Sequence, residues 1–328
     1  MLLVVVAAVS VGCTATTPKP AAPTLPPPAE PAVAPTLTVT PAGRLVPVGA
    51  GPEGVVADAV THLVAVGVRQ PNTLVVLDGT SGQIVTRTPL PGHLRHLQLA
   101  GPGGPVLVPD ENSNSLLTVD LPGGKVDSAV VTGTSPHDAT RAGNGLLFAA
   151  NEGGASVAVV RGDIVVHRFT DVVQPAGLAA VGNQVGLVDV RQNALHVYDA
   201  GRLTAVAQVP AGAGPTHVVA DRNGEFVVID TRGNAVLVYQ LTPTLHQVGR
   251  LVLPGTPYGV AYDAVRDHVW VTLTARNELV GLSLDGGDPK VFQRIPTVRQ
   301  PNTVAVDAVS GRLFVTGTDD GVLELIDP

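Results

Sequence analysis

The stretch GPTHVVADRNGEFVVIDTRGNAVLVYQLTPTLHQVGRLVLPG, residues 214–255, decides the fold because it contains one complete structural unit. It opens with a Pro-containing corner and an apolar run. Two further apolar runs follow, EFVVID and AVLVYQ, and then a fourth, LHQVGRLVLPG. The runs are short, they alternate between apolar and polar positions, and turn-forming residues separate them, which predicts four β-strands joined by tight hairpins.

The corner of this unit recurs along the chain. The seven copies are GPEGVVAD (51–58), GHLRHLQL (92–99), SPHDATR (135–141), QPAGLAAV (174–181), GPTHVVAD (214–221), TPYGVAYD (256–263) and QPNTVAVD (300–307). They begin 39 to 44 residues apart, a spacing typical of β-propellers and solenoids. Four strands in each of seven units predict an all-β, seven-bladed β-propeller of four-stranded antiparallel blades.

The last unit, residues 300–328, ends after three predicted strands. The segment GRLVPVGAGP (43–52), just before the first corner, matches GRLVLPGTP (249–257), which is an outer strand running into its next corner. We therefore predict that the N-terminal segment supplies the missing outer strand and closes the ring. Closure of this kind leaves only short, protected sheet edges.

Residues 43–328 resemble the exported propellers built of YVTN-type repeats, which are related in pattern to NHL repeats. The resemblance rests on the corners ending in VVAD, VAYD and VAVD and on Asn-containing hairpins such as PNTLVVLD (71–78). NHL-type lyases hold a metal in the channel on histidines from different blades. The resemblance therefore implies a possible metal site in the channel, in addition to the propeller fold.

Composition excludes some classes of partner. The chain has 328 residues, of which 45% are hydrophobic and 14% charged, with a formal net charge of −7. A chain of this size and composition buries a large core. No basic stripe is present to bind a phosphate backbone, so nucleic acid is not expected as a partner.

The N-terminus predicts export. The apolar run from Leu2 to Val11 is too short to span a bilayer and has the length of a signal-peptide core. It ends at Gly12 and Cys13, which resembles the lipobox of bacterial lipoproteins, and Cys13 is the only cysteine. We expect Cys13 to be acylated and to anchor the chain on the outer side of the cell membrane. The alternative is an ordinary cleaved signal peptide with an incidental cysteine.

Three parts of the chain follow from these patterns. Residues 1–13 form the signal segment, residues 14–41 form a Pro/Ala/Thr-rich tether, and residues 42–328 form the propeller. The tether composition cannot bury enough apolar surface to fold. We expect it to be extended and to hold the propeller away from the membrane.

The corners place two rings of residues at the channel mouth, on the face where the innermost strands begin, here called the top face. The upper ring is Glu53, Arg95, His137, Ala176, Thr216, Tyr258 and Asn302, and the lower ring is Gly54, His96, Asp138, Gly177, His217, Gly259 and Thr303. Neutral imidazoles beside carboxylates bind divalent ions or transfer protons. The alternative, which we favour, is a water-filled polar mouth that binds a ligand, because small or neutral residues interrupt the ring.

Four arginines recur at the hairpins between second and third strands, also on the top face: Arg69, Arg191, Arg232 and Arg276. Such a crown binds an anionic ligand or the carboxylates of a partner, although solvated hairpin tips are an equal alternative. The aspartates that end the inner strands, Asp58, Asp221, Asp263 and Asp307, are expected to bond to the following turns on the opposite face. No nucleophile elbow, phosphate-binding loop or HExxH pattern occurs in the sequence.

The sequence thus predicts a lipid-anchored binding or scaffold protein of the cell envelope. Its ligand or protein partner is expected at the top face and channel mouth, through ring residues Glu53, Arg95, His96, His137, Asp138, His217, Tyr258 and Asn302 and the four arginines. No catalytic residue and no cofactor are assigned. The alternative is a metal-assisted lyase or hydrolase with a divalent metal on the channel histidines.

Overall fold

Short strands account for nearly all of the regular structure. The computed structural model describes residues 1–2, 25–285 and 287–328, and within them it contains 28 strands and one 3₁₀ turn, η1 (Glu152–Gly154). Cys13, the predicted lipidation site, lies outside the described residues. No helix in the described part of the chain is long and apolar enough to cross a membrane.

The strands form seven four-stranded antiparallel sheets in the described residues, which confirms the predicted propeller. The first strand, β1, spans Arg44–Pro47. Each blade is given from its inner to its outer strand. Blade 1 consists of β2 (Ala50–Ala57), β3 (Leu63–Gln70), β4 (Asn72–Asp78) and β5 (Ile84–Pro89), and blade 2 of β6 (Gln98–Leu99), β7 (Val106–Asp110), β8 (Ser115–Val119) and β9 (Val126–Val131). Blade 3 consists of β10 (Pro136–Arg141), β11 (Leu147–Asn151), β12 (Ser156–Arg161) and β13 (Ile164–Phe169), and blade 4 of β14 (Pro175–Val181), β15 (Gln184–Asp189), β16 (Ala194–Asp199) and β17 (Thr204–Pro210). Blade 5 consists of β18 (Pro215–Ala220), β19 (Glu225–Asp230), β20 (Ala235–Gln240) and β21 (His246–Val252), and blade 6 of β22 (Pro257–Asp263), β23 (His268–Leu273), β24 (Glu278–Ser283) and β25 (Lys290–Pro296). Blade 7 consists of β26 (Pro301–Val306), β27 (Leu313–Gly317), β28 (Val322–Ile326) and, as its outer strand, β1.

The ring closes as the sequence predicts. Strand β1 pairs antiparallel with β28, from Arg44 opposite Leu325 to Pro47 opposite Val322, so the N-terminal segment forms the outer strand of blade 7. The buried side chain of Glu324 reinforces this junction, because it accepts hydrogen bonds from the Gly43 amide at 2.8 Å and the Val298 amide at 2.9 Å. Closure therefore joins backbone pairing to a buried carboxylate.

The core lies between the blades. Each pair of neighbouring blades shares a cluster of buried apolar side chains, such as Val188 of β15 and Phe226 of β19 between blades 4 and 5. The middle strands are buried on both sides because a blade packs against two neighbours. The outer strands, in contrast, consist of exposed and partly exposed residues. The blade 2 to blade 3 cluster is small, with Leu107, Leu116, Ala139 and Ala149 buried.

The aspartates at the ends of inner strands behave as predicted. Asp58 accepts from the Thr61 amide at 2.9 Å, Asp221 from Asn223 at 2.9 Å, and Asp263 from Val265 at 3.0 Å. Asp307 accepts from the Val309 amide at 3.0 Å in the same way. These carboxylates therefore fix the turns on the bottom face.

The N-terminal segment departs from the prediction of a free tether. Residues 25–35 have no helix or strand, as expected from their composition, but Ala29 and Ala34 are buried against the propeller. Polar side chains of blades 5 to 7 bond to the backbone of residues 27–35, which we call the docked segment. This part of the segment is therefore held against the propeller instead of lying free, because backbone groups, which composition does not report, supply the contacts.

Candidate functional site at the channel mouth

A recurring β-bulge aims the ring residues into the channel. The inner strands of six blades shift register just after the corner proline, for example between Pro136 and Asp138 and between Pro215 and His217. A bulge bends the strand and redirects the side chains next to it. In blade 2 the corner precedes the two-residue strand β6, so His96 lies in an irregular segment.

The structure brings three of the predicted histidines together. The ring of His96 lies 4.7 Å, centroid to centroid, from both His137 and His217, and His217 lies 4.6 Å from the ring of Tyr258. The tilted and edge-to-face arrangements are those of packed aromatic rings. In the described ranges of the chain, no group of three His, Cys, Asp or Glu side chains is arranged to hold a metal ion.

Burial keeps two of these imidazoles neutral. Desolvation, with the nearby charge of His137, lowers the pKa of His217 to about 3 and holds the pKa of His96 well below 6.5. Neither ring nitrogen of His217, which is 7% exposed, has a hydrogen-bond partner in the described residues. A neutral imidazole offers one donor and one acceptor, and both polar atoms of His217 are buried and unpaired beside the channel cavity in the described residues.

His137 differs from the other two because it faces a carboxylate. Its Nδ1 lies 2.9 Å from Oε2 of Glu152, whose Oε1 accepts a hydrogen bond from Gln174 at 2.8 Å. Burial alone would lower the pKa of His137, but the hydrogen bond and charge of Glu152 outweigh it and raise that pKa. The same pairing outweighs burial at Glu152 and lowers its pKa to about 2.

Asp138 ties three inner strands together. Its carboxylate accepts from the Leu178 and Ala139 amides at 2.8 Å each, and from Nε2 of Gln98 at 3.1 Å. Burial raises the pKa of Asp138 to about 6 despite these bonds. Gln98, which the sequence analysis did not identify, lies two residues after His96 and lines the same channel, as the two-residue period of strands would allow.

Charges on the top face are largely paired with each other. Arg69 pairs with Glu53, and Glu111 pairs with Nε of Arg95 at 3.1 Å and with Nε2 of His93 at 2.7 Å. Desolvation raises the pKa of Glu53 even though both arginines lower it. The upper ring therefore forms a compensated charge layer rather than a strongly charged mouth.

Two of the four arginines in the predicted crown bond to other groups of the protein, and two do not in the described residues. Arg69 is held by Glu53, and Arg232 donates to the backbone oxygens of Ala213 at 2.9 Å and Pro27 at 2.6 Å. Arg191 lies half-buried and Arg276 exposed, and neither side chain makes a hydrogen bond or ion pair in the described part of the chain. Asn302 of the upper ring is buried, and its Oδ1 accepts a hydrogen bond from Nε2 of Gln300 at 3.0 Å.

A cavity of about 410 Å³ occupies the channel below the upper ring. Its upper end is formed by lower-ring residues, including His96, Asp138 and His217, and its walls by apolar residues of the inner strands. Residues toward the bottom face, such as Ala220 and Tyr262, are partly exposed, whereas the upper ring residue Tyr258 is buried. The channel is therefore closed at the top and accessible from the bottom.

The docked segment completes the closure at the top. Pro28, Ala29 and Glu30 border a small cavity of about 20 Å³ with His137 and Tyr258. That volume suits a single water molecule. The predicted channel mouth is thus covered by the chain's own N-terminal segment, a feature that no local sequence motif signalled.

Comparison with known proteins identifies the fold. No protein-family model and no curated protein sequence matches this chain. Among solved structures it is similar to the hydrazine synthase of Kuenenia stuttgartiensis (14% identity, TM-score 0.75, 85% of this chain and 96% of that one). It is also similar to a chain of the mitotic checkpoint complex (13%, 0.74, 92% and 95%) and to virginiamycin B lyase from Staphylococcus aureus (14%, 0.70, 86% and 98%).

These likenesses show a seven-bladed propeller and nothing finer, because the identities are low and the neighbours include enzymes and a component of a protein assembly. The YVTN- and NHL-type assignment remains a prediction from the repeats.

Proposed function

We propose that this chain is an exported, lipid-anchored binding or scaffold protein of a bacterial cell envelope, which takes a ligand in the central channel, below the covered top mouth. The observation that carries the proposal is the 410 Å³ channel cavity ending at His217, whose two ring nitrogens are buried without partners in the described residues. A buried polar atom left unpaired costs free energy that a ligand recovers.

The cavity favours a small molecule that carries both apolar and polar groups, because apolar inner-strand residues and polar residues such as Gln98 and Thr140 line it together. Its volume lies within the range of sites for drug-sized molecules. The neutral imidazoles of His96 and His217 offer donors and acceptors but no positive charge. A neutral hydroxyl, carbonyl or amide group would fit beside these imidazoles better than a strongly charged group.

Native mass spectrometry of the chain recovered from an exporting bacterial host tests the ligand. We expect a non-covalently bound small molecule that is lost in His217→Leu, which keeps the packing volume but removes both polar atoms. The control is His246→Leu, because His246 is exposed on outer strand β21. A chain that carries no small molecule, and whose melting temperature responds to no compound in a diverse small-molecule panel, would contradict the proposal.

The lipid anchor is tested separately. If Cys13 is acylated, Cys13→Ala moves the chain from the membrane fraction to the soluble exported fraction, because a lipid supplies the membrane affinity. Thr17→Ala, four residues downstream in the tether and outside the lipobox-like segment, serves as the control and keeps the chain in the membrane fraction. Full membrane association of Cys13→Ala would rule out the lipid as the main anchor.

A metal-assisted lyase or hydrolase is the second candidate, favoured by the contact of three histidines and by the pKa of Asp138 near 6, which suits proton transfer near neutral pH. Metal analysis of chain purified without chelator separates the two. A stoichiometric divalent ion that is lost in His96→Ala would favour the enzyme.

A further inference from the structure

The docked segment is held almost entirely through its backbone. The Ala32 amide donates to Oγ1 of Thr274 at 2.9 Å, and the Ala32 oxygen accepts from Nε2 of Gln300 at 2.9 Å. The Ala34 amide donates to Oε1 of the same Gln300 at 2.8 Å. One glutamine therefore pairs with the chain on both sides of residue 33, as a neighbouring β-strand would.

Both ends of the docked segment are fixed in the same manner. Nδ2 of Asn277 donates to the Pro35 oxygen at 2.9 Å, and Arg232 donates to the Pro27 oxygen at 2.6 Å. None of these hydrogen bonds involves a side chain of the segment. Any extended chain of suitable path can supply the same carbonyl and amide groups.

Side-chain selection is restricted to two small residues. Ala29 is 8% and Ala34 is 3% exposed, whereas the intervening Val33 is 88% exposed. Proline-rich sequence keeps such a segment extended in solution, so that little conformational entropy is lost on docking. The site thus favours an extended Pro- and Ala-rich segment with small residues at two positions.

Propeller contacts that do not involve the segment position the groups that bind it. Oγ1 of Thr274 donates to the Thr256 oxygen at 3.1 Å, and the backbone amide of Gln300 donates to Oδ1 of Asn277 at 3.3 Å. Nε2 of Gln300 also donates to Oδ1 of Asn302 at 3.0 Å, which orients the side-chain amide. The propeller therefore orients these polar groups toward an extended backbone.

We propose that the top face of blades 5 to 7, formed by Arg232, Thr274, Asn277 and Gln300, is a docking groove for an extended Pro- and Ala-rich segment of a second protein chain. Residues 27–35 occupy it as an intramolecular competitor. Because the competitor is tethered, it is present at high effective concentration and a partner must displace it. The proposal concerns a different surface from the channel cavity and does not depend on a ligand there.

The test uses the full chain with the competitor weakened. Ala34→Trp places a large side chain at a buried position and is expected to release the docked segment. The matched control is Val33→Trp at the neighbouring exposed position. Hydrogen exchange of the Ala32 and residue-34 amides, which bond to Thr274 and Gln300, reports release directly, and Ala34→Arg serves as a second releasing variant.

Binding in trans is then measured by fluorescence polarisation with a labelled synthetic peptide of residues 26–36, PPPAEPAVAPT. We expect Ala34→Trp to bind the peptide roughly 100-fold more tightly than Val33→Trp, because the tethered competitor is removed. Adding Gln300→Ala should abolish this gain. Failure of both releasing variants to raise exchange would overturn the small-residue requirement. Release without peptide binding would show that the groove serves the chain's own segment only and would overturn the proposal.

Discussion

The His137 and Glu152 pair shows how burial and pairing compete at single residues. Two of the three contacting histidines have their pKa lowered by burial, whereas His137 has its pKa raised because Glu152 lies at 2.9 Å. Because the pKa of His137 is raised in the folded state, protonation of His137 stabilises the fold fully below pH 6.5. This stabilisation is lost as the pH rises through the raised pKa. Because the pKa of Glu152 is lowered in the folded state, ionised Glu152 stabilises the fold fully above pH 4.5. This stabilisation is lost as the pH falls toward about 2.

Glu152→Gln should therefore reduce the free energy of unfolding most between pH 4.5 and 6.5, where both partners are charged in the wild-type fold. We expect a loss of about 2 kcal/mol there, the range for a hydrogen bond between charged groups, and a smaller loss at higher and lower pH. Urea unfolding across pH 3 to 8 measures this. Glu278→Gln is the control, because Glu278 pairs with Arg294 at the exposed outer edge; equal profiles for the two variants would contradict the assignment.

The histidine cluster could be predicted only in part from the sequence. The repeat placed His96, His137 and His217 in neighbouring rings, because corner position and strand period carry that information. The partner of His137 could not be predicted, because Glu152 reaches it from a hairpin tip whose side-chain direction depends on η1. Histidines in adjacent rings of the same channel thus acquire opposite pKa shifts.

The closing strand β1 is the element on which the ring depends. Val46 of this strand is buried in the cluster between blades 7 and 1, with Phe314 and Leu323, whereas its neighbour Leu45 is 45% exposed. Successive residues of a strand point to opposite faces. The two positions therefore separate the contribution of packing from that of backbone pairing.

Val46→Ala should lower the free energy of unfolding by about 2 kcal/mol, because it removes two buried carbon groups worth about 0.8 kcal/mol each and leaves a cavity. Leu45→Ala, which removes more atoms from a more exposed side chain, should cost well under 1 kcal/mol. Chemical denaturation of both variants measures the difference. A larger loss for Leu45→Ala would place β1 in the opposite register.

Elements differed in how far the sequence predicted them. The strands and the closure followed from a repeat that the whole chain obeys, including the match between residues 43–52 and 249–257. The docked segment did not follow, because Thr274, Asn277 and Gln300 bind backbone groups that every sequence contains. Composition showed that this segment forms no core of its own, but it carried no information about contact with another surface.

At the scale of the whole molecule, stability depends on an unbroken circle of blade interfaces. Each interface buries its own apolar cluster, and the interface between blades 7 and 1 includes residues of β1, β3 and β27. A ring differs from an open stack because every blade has two neighbours, so opening one junction exposes surface on both sides. The Gly43 amide and Glu324 lie at this junction.

Deleting residues 43–50 should therefore damage the molecule far more than deleting residues 14–24. The first deletion removes β1 and the fully buried Val48, leaves the edge of β28 unpaired and exposes the cluster between blades 7 and 1. An unpaired strand edge is a template for aggregation. We expect a fall in melting temperature of about 10 °C or more, which corresponds to several kcal/mol in a domain of this size, together with concentration-dependent aggregation in light scattering.

The second deletion removes a Pro-, Ala- and Thr-rich stretch with few apolar side chains, and the melting temperature should stay unchanged. If both truncated chains melt alike and remain monomeric, blade 7 is stable with three strands and β1 does not hold the ring closed.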